Sequence, residues 1–256
     1  MKLASLCTWL SVTSALVCCG GVLAAEPTAP KVSTFAPADD LATQVDFYVG
    51  RLEKSTESEA DYLDAVDKVA NDGNTLILIA LALGLHDTAN KYQAAAPALV
   101  RGAQQVAAAK DYASAQAGVA AVKAALAAQG DPTALKWTKL ASLPELMKQV
   151  PLINSRLKRH LRKFEAKAEV NVGDTAVLAA IAQGSMHNVD QTILPAESQK
   201  WFDYCVQFRN TAAAVNAAIH KKDQAATEAG MKDLTQSCED CHSIFHPGGS
   251  LEVEEK

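Results

Sequence analysis

The stretch "NTLILIALALGLHD" at residues 74–87 and the stretch "DTAVLAAIAQGSMH" at residues 174–187 resemble each other, and this resemblance decides the predicted fold. Thr75 and Thr175 coincide at an offset of 100 residues, and four leucine, alanine and glycine positions after them coincide as well. The apolar run is too short to cross a membrane, because a spanning helix needs about 20 apolar residues. We therefore interpret it as a helix buried in a bundle.

Two further pairs of stretches match in the same order along the chain. They are "LATQVDFYVGRLEKS" (41–55) with "LMKQVPLINSRLKRH" (146–160), and "KDYASAQAGV" (110–119) with "KDQAATEAGM" (222–231). Three matches in one order indicate a tandem duplication. Chance matching of alanine-rich helices is the alternative, but the offset changes only where loops are predicted, and loops tolerate insertions.

The composition favours helices, because alanine is abundant, aromatic residues make up 5% of the chain, and glycine and proline are few. Breaks are predicted where turn-forming residues occur, at 71–74, 129–132, 171–174 and 192–195. The second copy is thereby divided into four predicted helices, at 143–168, 174–189, 196–220 and 223–245.

Local signals within these helices give three more predictions. Ser142 and Glu145 have the spacing of a capping box at the start of the first helix. Pro151 lies inside that helix and is expected to bend it or to remove one hydrogen bond. Cys205 lies on an apolar stripe of the third helix, so its thiol is predicted to be buried, with an intermolecular disulfide as the alternative.

Short connections make neighbouring helices antiparallel, so the predicted fold is all-α and consists of two tandem four-helix up-and-down bundles. The first bundle is predicted at residues 39–130 and the second at 140–246. A proline-containing linker at 26–38 precedes them, and a C-terminal tail at 247–256 follows.

Residues 1–25 are interpreted as a cleaved signal peptide. Lys2 gives a positive start, an apolar run follows, and small residues end it. The chain is therefore predicted to be periplasmic or otherwise exported, with no membrane span once the signal is removed. A retained membrane anchor is one alternative, and a lipoprotein carrying its lipid on Cys18 or Cys19 is another.

The net charge of −5 is mild, and the chain has no basic patch interleaved with aromatic residues. Nucleic acid is therefore not an expected partner.

The stretch "SCEDCHSIFHPGG" at residues 237–249 contains two of the three cysteines that remain after the predicted signal peptide. Three cysteines cannot form a closed set of disulfides. Cys238, Cys241 and His242 form the pattern C-x-x-C-H, which is the signature of covalent haem attachment. Two thiols three residues apart on a helix can each bond one haem vinyl group, and the histidine can then bind the iron. The sequence predicts one covalently bound haem c.

A redox-active disulfide and a zinc site are the other interpretations of this cluster. A thioredoxin-like motif belongs in a βαβ unit, which this helical pattern does not provide. A zinc site needs further ligands, and only His246 is near in sequence.

The position of the motif is informative as well, because "CEDCHSIF" lies on the last predicted helix of a four-helix bundle. In this respect the chain resembles the class II cytochromes c, the cytochrome c-prime group. Phe245 also matches that family's C-x-x-C-H-x-x-[FY] pattern. The resemblance covers residues 142–246, and residues 39–130 look like a second copy without the motif.

The resemblance also implies a distal iron ligand. Low-spin members of the family carry a methionine early in the first helix, often in the context "LMK", and "ELMKQV" places Met147 there. The first copy has Ala42 at the matching position. It also has Leu126, Gln129 and Gly130 where the two cysteines and the histidine would be. The presumed ligand and the motif are missing together, so one haem per chain is expected.

Other interpretations of the distal side stay open. Met147 can be ordinary bundle core, because methionine is a common gap filler. Met186 and His187 are competing distal ligands, and Arg156 or Arg159 could meet the haem propionates.

The resemblance implies an electron-transfer protein rather than an enzyme: an exported monohaem c-type cytochrome that carries one electron to a redox partner protein. With five-coordinate iron it would instead bind NO or CO, and a peroxidase-type side activity is a further alternative. Class II bundles often pair, so a homodimer is possible, unless the first copy occupies that surface as an internal partner.

Overall fold

The computed structural model describes residues 25–247, and every regular element in that range is a helix. The all-α prediction is therefore confirmed for this part of the chain. The predicted signal peptide, with its three cysteines, lies outside the described residues except for Ala25, and so does the tail beyond Pro247. Within the described range no helix is both long and apolar enough to span a membrane.

In the first half, from residue 25 onward, the structure has five α-helices: α1 (Ala38–Ser55), α2 (Glu59–Leu63), α3 (Val66–Gly84), α4 (Ala96–Ala107) and α5 (Tyr112–Ala125). The second half contains four: α6 (Leu143–His160), α7 (Ala168–Ser185), α8 (Ser198–His220) and α9 (Gln224–Phe245). The last two begin within two residues of their predicted starts.

Two of the predicted breaks are wrong, because residues 71–74 lie inside α3 and residues 171–174 lie inside α7. The glycines there allow helices to pack closely. A Cβ atom on Gly73 would lie 2.9 Å from the backbone nitrogen of Ala107, and one on Gly173 would overlap the side chain of Gln44. The breaks predicted at 129–132 and 192–195 do separate α-helices.

The start and the end of α6 also differ from the prediction. Ser142 precedes the helix, but its side chain makes no capping hydrogen bond. Instead, the backbone N–H of Ser142 donates to Oδ1 of Asn74 at 2.7 Å, and that of Leu143 donates to Oε1 of Gln191 at 2.9 Å. Side chains from other elements thus satisfy the N–H groups that a helix start leaves unpaired. The helix ends at His160, and 3-10 turns replace the rest of the predicted 143–168 helix.

The two halves pack together through four helices. In the first half α1 packs on α3, α3 on α4, and α4 on α5. In the second half α6 packs on α7, α7 on α8, and α8 on α9. Across the halves, α1 and α3 pack against α7, and α3 also packs against α6. One continuous hydrophobic core therefore runs through both halves.

The predicted linker at residues 26–38 starts exposed and packs against the bundle in its second part. It contains a short 3-10 turn at Val32–Thr34, and Val32, Phe35 and Ala36 are buried in the core. The prolines of this segment mark an irregular path over the bundle, and its apolar residues hold that path in place.

Matching residues in the two halves make matching contacts. The hydroxyl of Thr75 donates to the carbonyl of Asn71, and the hydroxyl of Thr175 donates to the carbonyl of Asn171. Arg51 of α1 and Arg156 of α6 also lie at matching places, and each pairs with a buried aspartate of the next long helix, although Asp72 and Asp174 do not match in the alignment of α3 with α7. The threonine contacts and the arginine positions agree with the duplication, which stays a prediction.

The halves differ in the length of their outer helices. The inner helices α1 and α6 have 18 residues each, and α3 and α7 have 19 and 18. The outer helix α4 has 12 residues against 23 in α8, and α5 has 14 against 22 in α9. The second half therefore has an additional section of bundle at one end.

Candidate functional site

The last two turns of α9 carry the C-x-x-C-H motif. The helix starts at Asp223, whose carboxylate accepts a hydrogen bond from the backbone N–H of Ala226 at 2.9 Å. From there it continues unbroken to Phe245, so Cys238, Cys241 and His242 lie on one helical surface. All three side chains are partly buried, and both cysteines are free thiols.

A cavity of about 230 Å³ lies between α6, α7, α8 and α9, and the motif forms one of its walls. Met147 of α6 and Trp201 and Cys205 of α8 line the other walls. An adjoining cavity of about 660 Å³ lies nearer the start of α6. The two share part of their lining, namely Met147, Pro151, Trp201, Cys241 and His242. Together they form one cleft along the motif.

Aromatic side chains make the walls of this cleft rigid. Trp201 and Phe245 meet edge to face with their ring centroids 5.3 Å apart, and Tyr204 meets Phe245 in the same way at 6.3 Å. The indole N–H of Trp201 donates to the carbonyl of Ser185 at 3.1 Å. Phe245, which the family pattern singled out, is thus a buried member of the cluster beside the motif.

The structure places Met147 in the lining of both cavities, whereas Met186, although it belongs to the same hydrophobic cluster, and His187 line neither. Met147 lines both cavities and packs against the cluster that contains Cys241. Met186 is buried outside the cavity linings and lies beside the side-chain amide of Gln183. His187 lies outside them as well, and its Nδ1 pairs with the carboxylate of Glu26 at 2.8 Å.

Neither of the two arginines predicted to meet the haem propionates lines the cleft. Arg156 is engaged in a largely buried ion pair with Asp174, so it is not available to the cleft. Arg159 is exposed and does not line either cavity. Lys158, which the sequence analysis missed, does line the smaller cavity. Its spacing from Met147, eleven residues or three helical turns, was the signal that could have identified it.

Burial favours the neutral forms of the two thiols and of the imidazole in the motif. It raises the pKa of Cys238 to about 11 and that of Cys241 to about 12, so both thiols carry their protons at neutral pH. Burial, followed by the neighbouring His246, lowers the pKa of His242, which favours the neutral imidazole that can bind a metal. A redox-active disulfide motif needs thiols of lowered pKa, so these surroundings do not suit one.

A zinc site gains no support either. Among residues 25–247 there is no group of three or more His, Cys, Asp or Glu side chains placed to hold a metal ion. The ring of His246 meets that of His242 edge to face at 5.6 Å and does not complete a ligand set with the thiols.

These residues fit a haem c. Nδ1 of His242 is buried without a hydrogen-bond partner in the described part of the chain, so the imidazole is not committed to another group. The two thiols are likewise free, and the cleft beside them has aromatic and aliphatic side chains in its lining together with some polar ones. His242 would ligate the iron of such a group, and Cys238 and Cys241 would hold it through thioether bonds.

Comparison with known proteins adds no assignment: no protein-family model, no curated protein and no solved structure matches the chain. The interpretation of the site therefore rests on its residues and their geometry.

The matching region of the first half lacks the elements of the site. Helix α5 ends at Ala125, so Leu126, Gln129 and Gly130 follow the helix instead of lying on it. Ala42 is buried in the common core. The missing motif thus coincides with the missing last turns of the helix.

Cys205 is buried, as predicted, with 6% of its surface exposed. It packs with Trp201, Phe202 and Phe245, and burial raises the pKa of its thiol well above the ordinary value. In this position it cannot reach a second chain, which removes the intermolecular disulfide as an alternative.

Proposed function

We propose that the chain is an exported monohaem c-type cytochrome of class II type that acts as a one-electron carrier. The two halves would be tandem four-helix up-and-down bundles, and only the second would hold haem. The observation that carries this proposal is the cleft in which Cys238, Cys241 and His242 of α9 face Met147 of α6. The N-terminal apolar stretch of the sequence supports export.

Each of these residues has a distinct task. Cys238 and Cys241 would hold the group through thioether bonds, which prevents its loss by dissociation. His242 would ligate the iron from α9 and Met147 from α6. Haem c, when bound, supplies a one-electron couple between ferric and ferrous iron, and methionine–histidine ligation raises its potential. Trp201 and the other aromatic side chains would give the group apolar surroundings.

A second candidate function is the binding of NO or CO by five-coordinate iron. One polar atom in the lining of the smaller cavity favours it, Oγ of Ser185. It is buried without a hydrogen-bond partner in the described part of the chain. Buried polar atoms normally have a partner, and this hydroxyl could donate a hydrogen bond to NO or CO, which accept hydrogen bonds but cannot donate them.

The test of the proposal is covalent haem content. The full chain, produced with an export and haem-attachment system, should stain for haem on a denaturing gel. The double variant Cys238→Ala/Cys241→Ala should lose the stain, because no thioether can form. Cys205→Ala, which removes a thiol from the same cleft, is the matched control and should keep it. A wild-type chain without stain would refute haem attachment.

A further inference from the structure

The segment that links α6 to α7 carries a dense basic surface. Residues 158–167 contain five basic residues and one acidic residue, which gives a net charge of +4 in a chain whose overall charge is −5. The basic side chains are Lys158, Arg159, Arg162, Lys163 and Lys167. The first four are exposed, and none of the five forms an ion pair with another described residue. We call residues 158–167 the basic surface.

The matching segment of the first half carries the opposite charge. Residues 53–64 follow the same place in α1 and lead to α3, and they contain five acidic residues and one basic residue, a net charge of −4. Both segments end a helix of 18 residues, where basic side chains are slightly favoured by the helix dipole. The helix dipole alone would therefore favour similar charges in both segments. Of the two segments, only the one in the half that contains the C-x-x-C-H motif is basic.

The basic surface begins at the candidate haem site. Lys158 lies in the lining of the smaller cavity together with Cys238 and Met147. A partner that contacts Lys158 and its neighbours would therefore be held at the rim of the cleft.

The chemistry of the surface favours a protein over a membrane. A helix that lies on a membrane needs exposed apolar side chains beside its charges. Here Leu157 and Phe164 are buried in the core, with 1% and 6% of their surface exposed. The net negative charge of the chain also opposes adsorption to an extended anionic surface, but permits contact between one basic patch and one acidic patch.

We propose that the basic surface is the docking site for an acidic electron-transfer protein. This inference rests on the proposed function, since docking at the cleft matters only if the cleft holds the haem. Charge complementarity of this kind raises the association rate and orients the partner.

The first experiment measures binding without using the haem. A fluorescent polyglutamate peptide is titrated with the full chain at low salt, and the triple variant Lys158→Glu/Arg162→Glu/Lys163→Glu is compared with it. The matched control is Lys54→Glu/Lys110→Glu/Lys136→Glu, which changes three exposed lysines by the same charge. We expect the first variant to weaken binding about tenfold or more and the control to weaken it less than about twofold.

The second experiment uses the reduced, haem-containing chain. Hexacyanoferrate(III) accepts one electron and becomes hexacyanoferrate(II), while the iron of the protein goes from ferrous to ferric. The triple variant at the basic surface should slow this anionic oxidant about tenfold and the control variant should not. A cationic cobalt(III) phenanthroline complex should show no such loss.

Equal weakening by both triple variants would mean that only net charge matters, and would overturn the proposal. Tighter binding to phosphatidylserine vesicles than to polyglutamate, lost in the same variant, would replace the protein partner with a membrane. A chain without haem would refute the proposed function, whereas polyglutamate binding would still show whether the basic surface selects acidic chains.

Discussion

Pro151 leaves the carbonyl group of Met147 without its helical hydrogen bond, because a proline nitrogen has no hydrogen to donate to the residue four positions earlier. Both residues line the two cavities. Helix α6 thus has one backbone hydrogen bond fewer at the turn that carries the proposed ligand. A side chain on such a turn can adjust its position to reach a metal more easily than one on a fully bonded turn.

Met147→Ala is expected to open the distal position of the iron. The reduced variant should then show a high-spin spectrum and bind CO promptly, whereas the wild type should do neither. Absorption spectra with and without CO measure this. Met231→Ala is the control, since Met231 is a buried methionine of the core shared by both halves and lines neither cavity. It should keep the wild-type spectrum, although the cavity it creates costs about 2–5 kcal/mol of stability.

A wild-type protein that binds CO as promptly as Met147→Ala would contradict methionine ligation. It would favour the second candidate function, in which Ser185 faces a ligand on five-coordinate iron.

At the scale of the element, glycines inside helices have opposite roles at different positions. Gly73 of α3 lies against the backbone of α4, with 2.9 Å between its would-be Cβ atom and the nitrogen of Ala107. Gly50 of α1 is exposed, and a Cβ atom there would meet nothing within 4 Å. The first glycine allows two helices to touch, while the second only lowers helix propensity.

Gly73→Ala should therefore destabilise the protein by about 1–3 kcal/mol, because the added methyl group forces α3 and α4 apart. Gly50→Ala should stabilise it by about 0.5–1 kcal/mol, because alanine is the better helix former. Urea unfolding of both variants beside the wild type measures the two effects. Changes of the same sign would show that Gly73 does not serve the packing of the helices.

The elements that could be predicted from sequence are those whose signals are local, and the others depend on contacts with distant parts of the chain. The starts of α8 and α9 follow local signals, and they were predicted within two residues. The sequence around Gly73 has the composition of a turn, and only the presence of α4 beside it makes the helix continue. Likewise Ser142 and Glu145 have capping-box spacing, but Asn74, distant in sequence, supplies the bond instead. The neighbouring helix and the distant asparagine come from elsewhere in the chain, so a local sequence pattern does not reveal them.

The site was predictable to a similar extent. Cys238, Cys241 and His242 carry a pattern whose spacing is itself the chemistry, and Met147 followed from a resemblance. Lys158 was missed because its charge belongs to a run of basic residues, which by itself indicates only a solvated helix face. Its place at the cleft depends on the orientation of α6 against α9.

At the scale of the whole molecule, polar groups are buried where the two halves meet. The hydroxyl of Tyr48 in α1 accepts a hydrogen bond from the side-chain amide of Gln149 in α6 at 2.9 Å. Nearby, Asp72 pairs with Arg51 at 2.9 Å and has 1% of its side chain exposed. Burial raises the pKa of Asp72 to about 6, although Arg51 opposes the shift.

The stability of the protein should therefore depend on pH through Asp72. Its folded pKa lies above the unfolded value of about 3.9, so its stabilising contribution is complete below about pH 4 and is lost as pH rises through about 6. Relative to Asp72→Asn, which does not titrate, the wild type should lose about 1–3 kcal/mol between about pH 4 and about pH 8.

Urea unfolding of the wild type and of Asp72→Asn at several pH values measures this difference. A wild type that gains stability relative to Asp72→Asn as pH rises would show that the ion pair with Arg51 outweighs the cost of burial.

The shared core makes a stronger prediction about the halves themselves. Gly184 of α7 lies against Leu78 of α3, so close that a Cβ atom on the glycine would be 2.5 Å from a leucine methyl group. Residues 136–256 produced alone would expose this face and the faces of α6 that α3 covers. Exposed apolar surfaces of that kind cause association.

We therefore expect residues 136–256 alone to aggregate, or to elute as an oligomer and bind a hydrophobic dye, whereas the full chain should do neither. Size-exclusion chromatography and dye fluorescence measure this. A soluble monomer that unfolds cooperatively would mean that the second half folds alone and that the first half is an attached module. Aggregation would instead mean that the second half needs α1 and α3 of the first half to cover its core.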